Sequence, residues 1–281
     1  MPNMFSPRFT EWCDGIARRK CLPNKDDPWL FGYYIDNELA WHGGGERDRQ
    51  TGLWDRILEL PSTHSARRAL SRYAKSHGVP ETTNAVPAQK SAFIRLAAER
   101  YFRETTAAIR RYDPNHLILG CRFATLEGAP EQVWEVAGKF CDIVSMNIYP
   151  AADLQAQIVR DWYKVPILES WPRYHRLTAR PMMLTEWSFC AYDSGLPCKH
   201  GPGQRFKTQQ QRAQAAELLA RTVLSMPFMV GYSFFMWVDD PPEGFSSSTP
   251  EDSNYGLVNE QGEPYPVVET FRKIQRRKET R

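Results

Sequence analysis

Five short apolar runs, at 30–37, 116–123, 142–149, 182–187 and 229–237, recur along the chain with longer segments of helical periodicity between them. LFGYYIDN, HLILGCRF, DIVSMNIY, MMLTEW and MVGYSFFMW are apolar over most of their length rather than at alternate positions. That is the pattern of strands covered on both faces, as in a parallel sheet. Parallel neighbours require crossover connections, and the helical patterns near 62–77, 88–111, 129–140 and 207–226 are long enough to supply them. Further helices are expected at 7–21, at 151–163 and at about 265–278, with a less regular stretch through Pro172. Asp113-Pro114-Asn115 marks the turn into the second run. The resulting fold class is α/β, with five parallel strands and crossover helices. Residues 42–87, which contain Gly43-Gly44-Gly45, read as an insertion on the loop side of the first strand, where they would wall a cleft.

Polar residues are concentrated where these runs end. Glu38 follows the first and Glu186 closes MMLTE, so two carboxylates are delivered to an open rim by separate strands. A strand-end Glu beside the Asn37 amide suits a general acid, provided burial raises its pKa. A capping or salt-bridged Glu would look the same at this level. Glu186, as a nucleophile, has to stay ionised, which calls for donors or a cation; Arg122 and Tyr149 end neighbouring strands and are the candidates. Asn147 lies on the same strand as Tyr149 and joins them as a candidate substrate contact. Asp36 points away from Asn37 along its strand. Trp41, Trp187 and Trp237 stand at or beside the ends of runs, where an apolar ring can meet the C–H face of a sugar; core packing explains such rings equally well. Glu127, His42, Tyr192, Asp193 and His200 lie in loops of the same expected face.

The remaining composition mainly excludes. With 36 basic and 33 acidic residues the net charge is only +3, and the basic clusters at 18–20 and 272–281 are not interleaved with aromatics, so no nucleic-acid partner is expected. No stretch has the roughly 18 apolar residues of a membrane span, and no membrane partner is expected. The first residues, MPNMFSPRFTEW, lack a secretory pattern, which leaves localisation and oligomeric state open. The six cysteines form no CxxC pair, and no HExxH, phosphate loop or GxSxG elbow is present. Neither a metal nor an organic cofactor is expected. Cys190 and Cys198 are spaced so that they could bridge a loop.

Taken together, GYYIDNELAW (32–41), HLILGCRFA (116–124), DIVSMNIYP (142–150), PMMLTEWSF (181–189) and VGYSFFMWVDDPPEG (230–244) resemble the catalytic barrel of clan A glycoside hydrolases. The likeness is nearest to β-agarase-like enzymes, with β-galactosidase-like members more distant. It implies a (β/α)8 TIM barrel truncated to strands four to eight, residues 1–281 being a partial catalytic domain. It further implies a retaining hydrolase acting on β-linked galactan or a related poly- or oligosaccharide. By motif, Glu38 would be the acid/base and Glu186 the nucleophile. Asn37 would bind the hydroxyl next to the scissile bond, Tyr149 would stand near the nucleophile, Trp237 would form the sugar platform, and Arg122 would lie on the fifth strand. Such a pair acts with its carboxyl groups about 5–5.5 Å apart.

Five strands of an eight-stranded barrel leave two parallel edges open. The chain by itself is therefore expected to be poorly soluble or inactive unless a partner or preceding segment supplies the rest. Two rival functions fit the same residues: a carbohydrate-binding relic that keeps the aromatic platform, and a barrel enzyme of another type, such as a transglycosylase or a lyase.

Overall fold

The computed structural model describes residues 1–162, 164–244 and 251–279. The chain divides into two compact units, Met1–Met146 with Tyr174–Pro181, and Asn147–Arg173 with Met182–Arg281. Along the chain, strands alternate with helices as in a partial (β/α) barrel.

The first unit begins with α1 (Phe9–Lys20), which buries Phe9, Cys13 and Ala17, a one-turn spacing that follows from 3.6 residues per turn. The first strand, β1 (Gly32–Tyr33), pairs in parallel with β2 (Leu117–Ile118). Backbone bonds continue the ladder beyond both: Leu119 N donates to Tyr33 O, Ile35 N to Gly120 O, and Glu38 N to Arg122 O. The turn before β2 is locked by Asp113. One oxygen accepts from the Asn115 and His116 amides, and the other accepts the Tyr33 hydroxyl at 2.6 Å. Gly120, at φ +81°, separates β2 from β3 (Phe123–Ala124), and it is the residue that tolerates that backbone.

Between β1 and β2, the expected insertion folds as α2 (Gly52–Leu58) and α3 (Ser65–His77), and α4 (Pro87–Tyr112) follows. Pro87 opens α4, where its missing N–H costs nothing, and Gly78 in the left-handed region closes α3. Trp54 of α2 is fully buried edge-on against Phe93 of α4, so the insertion carries apolar packing of its own. The unit continues through α5 (Glu131–Phe140) to β4 (Val144–Asn147), which lies beside β3.

The second unit departs from the expected helix at 151–163. Ala151–Asp153 (β5) and Ile158–Arg160 (β6) form an antiparallel hairpin. Asp153 accepts from the Gln155 and Ala156 amides and so ties the turn, while β-branched Ile158 and Val159 favour strand. The stretch around Pro172 is instead helical, α6 (Ile167–Thr178). Ile167 and Trp171, four residues apart, are both fully buried, and that burial outweighs the proline's local penalty. Then follow β7 (Met182–Glu186), β8 (Cys190–Ala191), β9 (Arg205–Phe206), α7 (Gln209–Ser225), β10 (Met229–Tyr232) and α8 (Pro266–Glu279). Strand β10 pairs in parallel with β7, and Ser233 N extends the pairing to Leu184 O. The Thr208 hydroxyl caps α7 by accepting from Gln211 N, and the helix buries Ala215, Ala216, Leu219 and Val223. All six cysteines are buried free thiols, so the possible bridge between Cys190 and Cys198 is absent.

Among the described residues no other strand pairs with β1 across its outward edge. Trp29 (93% exposed), Phe31 and Trp12 present large apolar surface in this unit. Surface of this kind promotes association. We expect the chain to self-associate at micromolar concentration, and Trp29→Ser with Phe31→Ser to reduce that association in light scattering. Equal scattering by the two proteins would show that these rings are not responsible.

Candidate active site

Strand β7 ends on Glu186, and both of its carboxylate oxygens are held. Asn147 Nδ2 donates to Oε2 at 2.9 Å, and the Tyr149 hydroxyl donates to Oε1 at 2.8 Å. These donors come from the segment Asn147–Tyr149, which is held along the end of β7 by the bond from Ile148 N to Glu186 O at 2.9 Å. The Asn147 oxygen accepts the Thr185 hydroxyl at 2.9 Å while its NH₂ faces Glu186. Asn147 and Thr185 are buried, whereas Glu186 and Tyr149 remain partly exposed. Both Glu186 oxygens thus act as acceptors, the hydrogen-bonding role of an ionised carboxyl. The Tyr149 phenol is pushed well up from its ordinary pKa, first by burial and then by the Glu186 charge and bond, so it stays protonated and continues to donate.

In the other unit, the Glu38 group sits at the end of the β1 ladder. Asn37 and Glu38 are exposed, and Glu38 has φ +52°. Arg122, across the ladder, has φ +48°, and its amide donates to Ser145 Oγ at 3.0 Å. Two non-glycine residues in the left-handed region at one strand end cost on the order of 1 kcal/mol each or more, and strain of this type gathers at functional sites. The Arg122 guanidinium lies 5.6 Å above the Tyr34 ring. Asp36 turns the other way, as expected, and accepts the Tyr101 hydroxyl at 3.1 Å.

The tryptophans separate clearly. Trp41 is fully buried, stacked on Phe102 and edge-on to Tyr101. Trp187 is fully buried among Phe189, Tyr232, Phe234 and Phe271. Both are core residues with no ring face left for a ligand, and the expectation of a substrate contact is not carried forward for either. Trp237 is 71% exposed and is the one of the three free to stack on a sugar. Of the loop candidates, Asp193 caps α7 by accepting from Gln209 N, and His200 lies 3.3 Å from Asp252.

Sequence reading missed the polar groups that follow Trp237 in the chain. Asp239 accepts from Gly256 N at 2.8 Å and from the Tyr265 hydroxyl at 2.6 Å. Asp240 is fully buried, and neither carboxyl oxygen has a hydrogen-bond partner among the described residues. Burial, followed by the charges of Glu251, Asp239 and Asp252, pushes its pKa up to about 7, against weak opposition from the nearby Ser253 backbone. The DD pair at the end of the fifth run was the available signal, but nothing in sequence announces that one member is fully buried.

No known family profile matches the chain. Beta-agarase B of Vibrio sp. (strain JT0107) is 26% identical over 299 residues, covering 96% of this chain and 30% of that protein. Among solved structures, the agarase AgWH50C superposes with a TM-score of 0.80 at 27% identity, over 98% of this chain and 40% of its own. An exo-beta-agarase gives 0.81 at 23% identity, over 98% and 38%. The beta-D-glucuronidase of Dictyoglomus thermophilum, with a TM-score of 0.56 and 15% identity over 97% and 37%, shares the fold alone. The chain spans about 30% of the length of the curated relatives it matches. Its fold is that of clan-A-like glycoside hydrolases, nearer to agarase structures than to beta-glucuronidases, in line with the resemblance carried by the five motifs.

The Asp240 carboxyl gives a pH prediction. Its folded pKa of about 7 lies above the ordinary 3.8, so the folded state binds the extra proton. The associated stability is therefore complete below pH 4 and is lost as pH rises toward 7. Asp240→Asn removes this dependence. The melting temperature of the variant relative to the parent is expected to rise between pH 4.5 and pH 7.5; a constant difference would contradict it.

Proposed function

We propose that this chain carries the two catalytic carboxylates of a retaining glycoside hydrolase acting on β-linked galactan or a related poly- or oligosaccharide. The observation that carries the reading is the pair of donors on Glu186, Asn147 Nδ2 and the Tyr149 hydroxyl, which fix a carboxylate at a strand end with both oxygens as acceptors. A nucleophile needs this: a fixed direction of attack and an ionised state at working pH. Similarity to agarases over nearly the whole of this chain supports the reaction class and the sugar class.

In the first step Glu186 attacks the anomeric carbon. The bond to the leaving oxygen breaks, and Glu38 gives that oxygen its proton. In the second step Glu38 takes a proton from water, whose oxygen displaces Glu186 and restores the starting configuration. Trp237 supplies an exposed apolar face for the sugar ring, Asn37 a donor for the neighbouring hydroxyl, and Arg122 a further contact. Neither step needs a metal or an organic cofactor.

A second reading, a carbohydrate-binding relic, rests on the exposed Trp237 ring, which offers a sugar platform whether or not the carboxylates act. Binding to galactan without release of reducing ends would select it.

Reducing-end release from a polysaccharide panel that includes agarose tests the main reading. Glu186→Gln should lower kcat by more than about 10³-fold, as loss of a nucleophile does. Glu38→Gln should cost roughly 10²- to 10⁴-fold, and less on a substrate whose leaving group needs no protonation. Full activity in Glu186→Gln would exclude the assignment. Tyr149→Phe removes a hydrogen bond to a charged group and should slow turnover by about 10- to 100-fold. An unchanged rate would show that Tyr149 does not support Glu186.

A further inference from the structure

Helix α7 buries small apolar residues along its inward face, with one exception. Arg212 is completely buried there, and among the described residues no carboxylate lies within ion-pair distance of it. Burying a guanidinium without a direct counter-charge is costly unless its donors are met by other acceptors. Nε donates to Phe189 O at 2.6 Å, Nη2 to Gly256 O at 2.8 Å, and Nη1 to Gln209 Oε1 at 3.2 Å. The planar group also lies 5.3 Å from the Tyr265 ring centre and 5.8 Å from that of Phe234. Burial lowers its pKa, while Asp239 and Tyr265 are among the groups that oppose the shift.

These partners join two segments that matter to the proposed chemistry. Phe189 lies three residues beyond Glu186, and the bond from Phe235 N to Trp187 O fastens that segment to the end of the fifth apolar run. Gly256 is fastened to the other side. Its amide donates to Asp239 Oδ1, and the neighbouring Leu257 and Val258 amides both donate to Trp237 O. A methyl group at 256 would come within 2.3 Å of Val258 O and 2.5 Å of Asp239 N, so this junction closes only around glycine. One rigid fork therefore spans the backbone after the carboxylate and the backbone that carries the exposed tryptophan.

We propose that Arg212, with Asp239 and Tyr265, is a positioning residue that sets the Trp237 ring relative to the segment following Glu186. The proposal rests on the glycosidase reading for its consequence, but the clamp can be measured without any substrate. Lysine cannot reproduce the fork, because it carries a single point charge in place of a planar set of donors.

Hydrogen exchange on Arg212→Lys is the test. Amides of 235–236 and 257–258 should exchange about tenfold faster or more, while the α7 interior at 219–223 remains protected. Unchanged exchange at 235–236 and 257–258, or a uniform rise that includes α7, would overturn the clamp. Should Arg212→Lys not fold, Tyr265→Phe, which keeps the ring and loses only the hydroxyl bond to Asp239, is expected to give the same local pattern; unaltered exchange there would overturn it too. The functional consequence is read from a double-mutant cycle with Trp237→Ala. Arg212→Lys should lower kcat/KM on galactan by about 10- to 100-fold alone and by little in the Trp237→Ala background. Additive losses would contradict positioning through Trp237. If the parent protein neither binds nor cleaves galactan, the functional reading fails, and the exchange pattern still decides the clamp.

Discussion

Everything in the functional account depends on how one carboxylate is held. Glu186 arrives at the end of a buried strand, and the adjacent segment Asn147–Tyr149 supplies both of its donors. The arrangement is determined two layers deep. Thr185, on the same strand as Glu186, donates to the Asn147 side-chain oxygen, and burial together with the Glu186 charge keeps the Tyr149 phenol protonated. A carboxylate so placed has little freedom to rotate and no need to be reorganised when charge shifts at a neighbouring atom.

The same region concentrates polar groups that a simple apolar core would avoid. Arg212, Asp239 and Asp240 are all buried: carbonyl oxygens and ring faces surround the first, an amide and a phenol bond the second, and burial pushes the pKa of the third up to about 7. Buried polar groups cost desolvation, and where their hydrogen bonds are met they tend to specify one arrangement of loops. The loops they specify here carry Trp237 and the backbone just beyond Glu186.

Much of this was legible in sequence, for reasons that can be named. Helices α1, α3, α4, α5, α7 and α8 follow from 3.6-residue periodicity, proline at a helix start and glycine at a helix end. The end of β7 was legible because its apolar run stops abruptly at Glu186, whereas the run at 30–37 is regular strand only at Gly32–Tyr33 and continues to Glu38 by single ladder bonds. The helix expected at 151–163 failed because Asp153 and the Ile158-Val159 pair build a turn and strands that periodicity over so short a span does not distinguish. The α6 helix was hidden by Pro172, whose local penalty is overcome by burial of Ile167 and Trp171, a tertiary effect. Trp41 and Trp187 looked like ligand platforms because sequence gives a ring's position along a strand but not the depth at which it lies. Arg212 gave no signal, since an arginine on an alanine-rich helix ordinarily faces water.

The central claim is that Glu186 makes the covalent bond to the sugar. Incubation with a 2-fluoro glycoside bearing a good leaving group, followed by peptide mass mapping, tests it directly. The account predicts a single fluoroglycosyl adduct on the peptide containing Glu186, absent from Glu186→Gln. An adduct on any other carboxylate, or sugar release with inverted configuration, would contradict it.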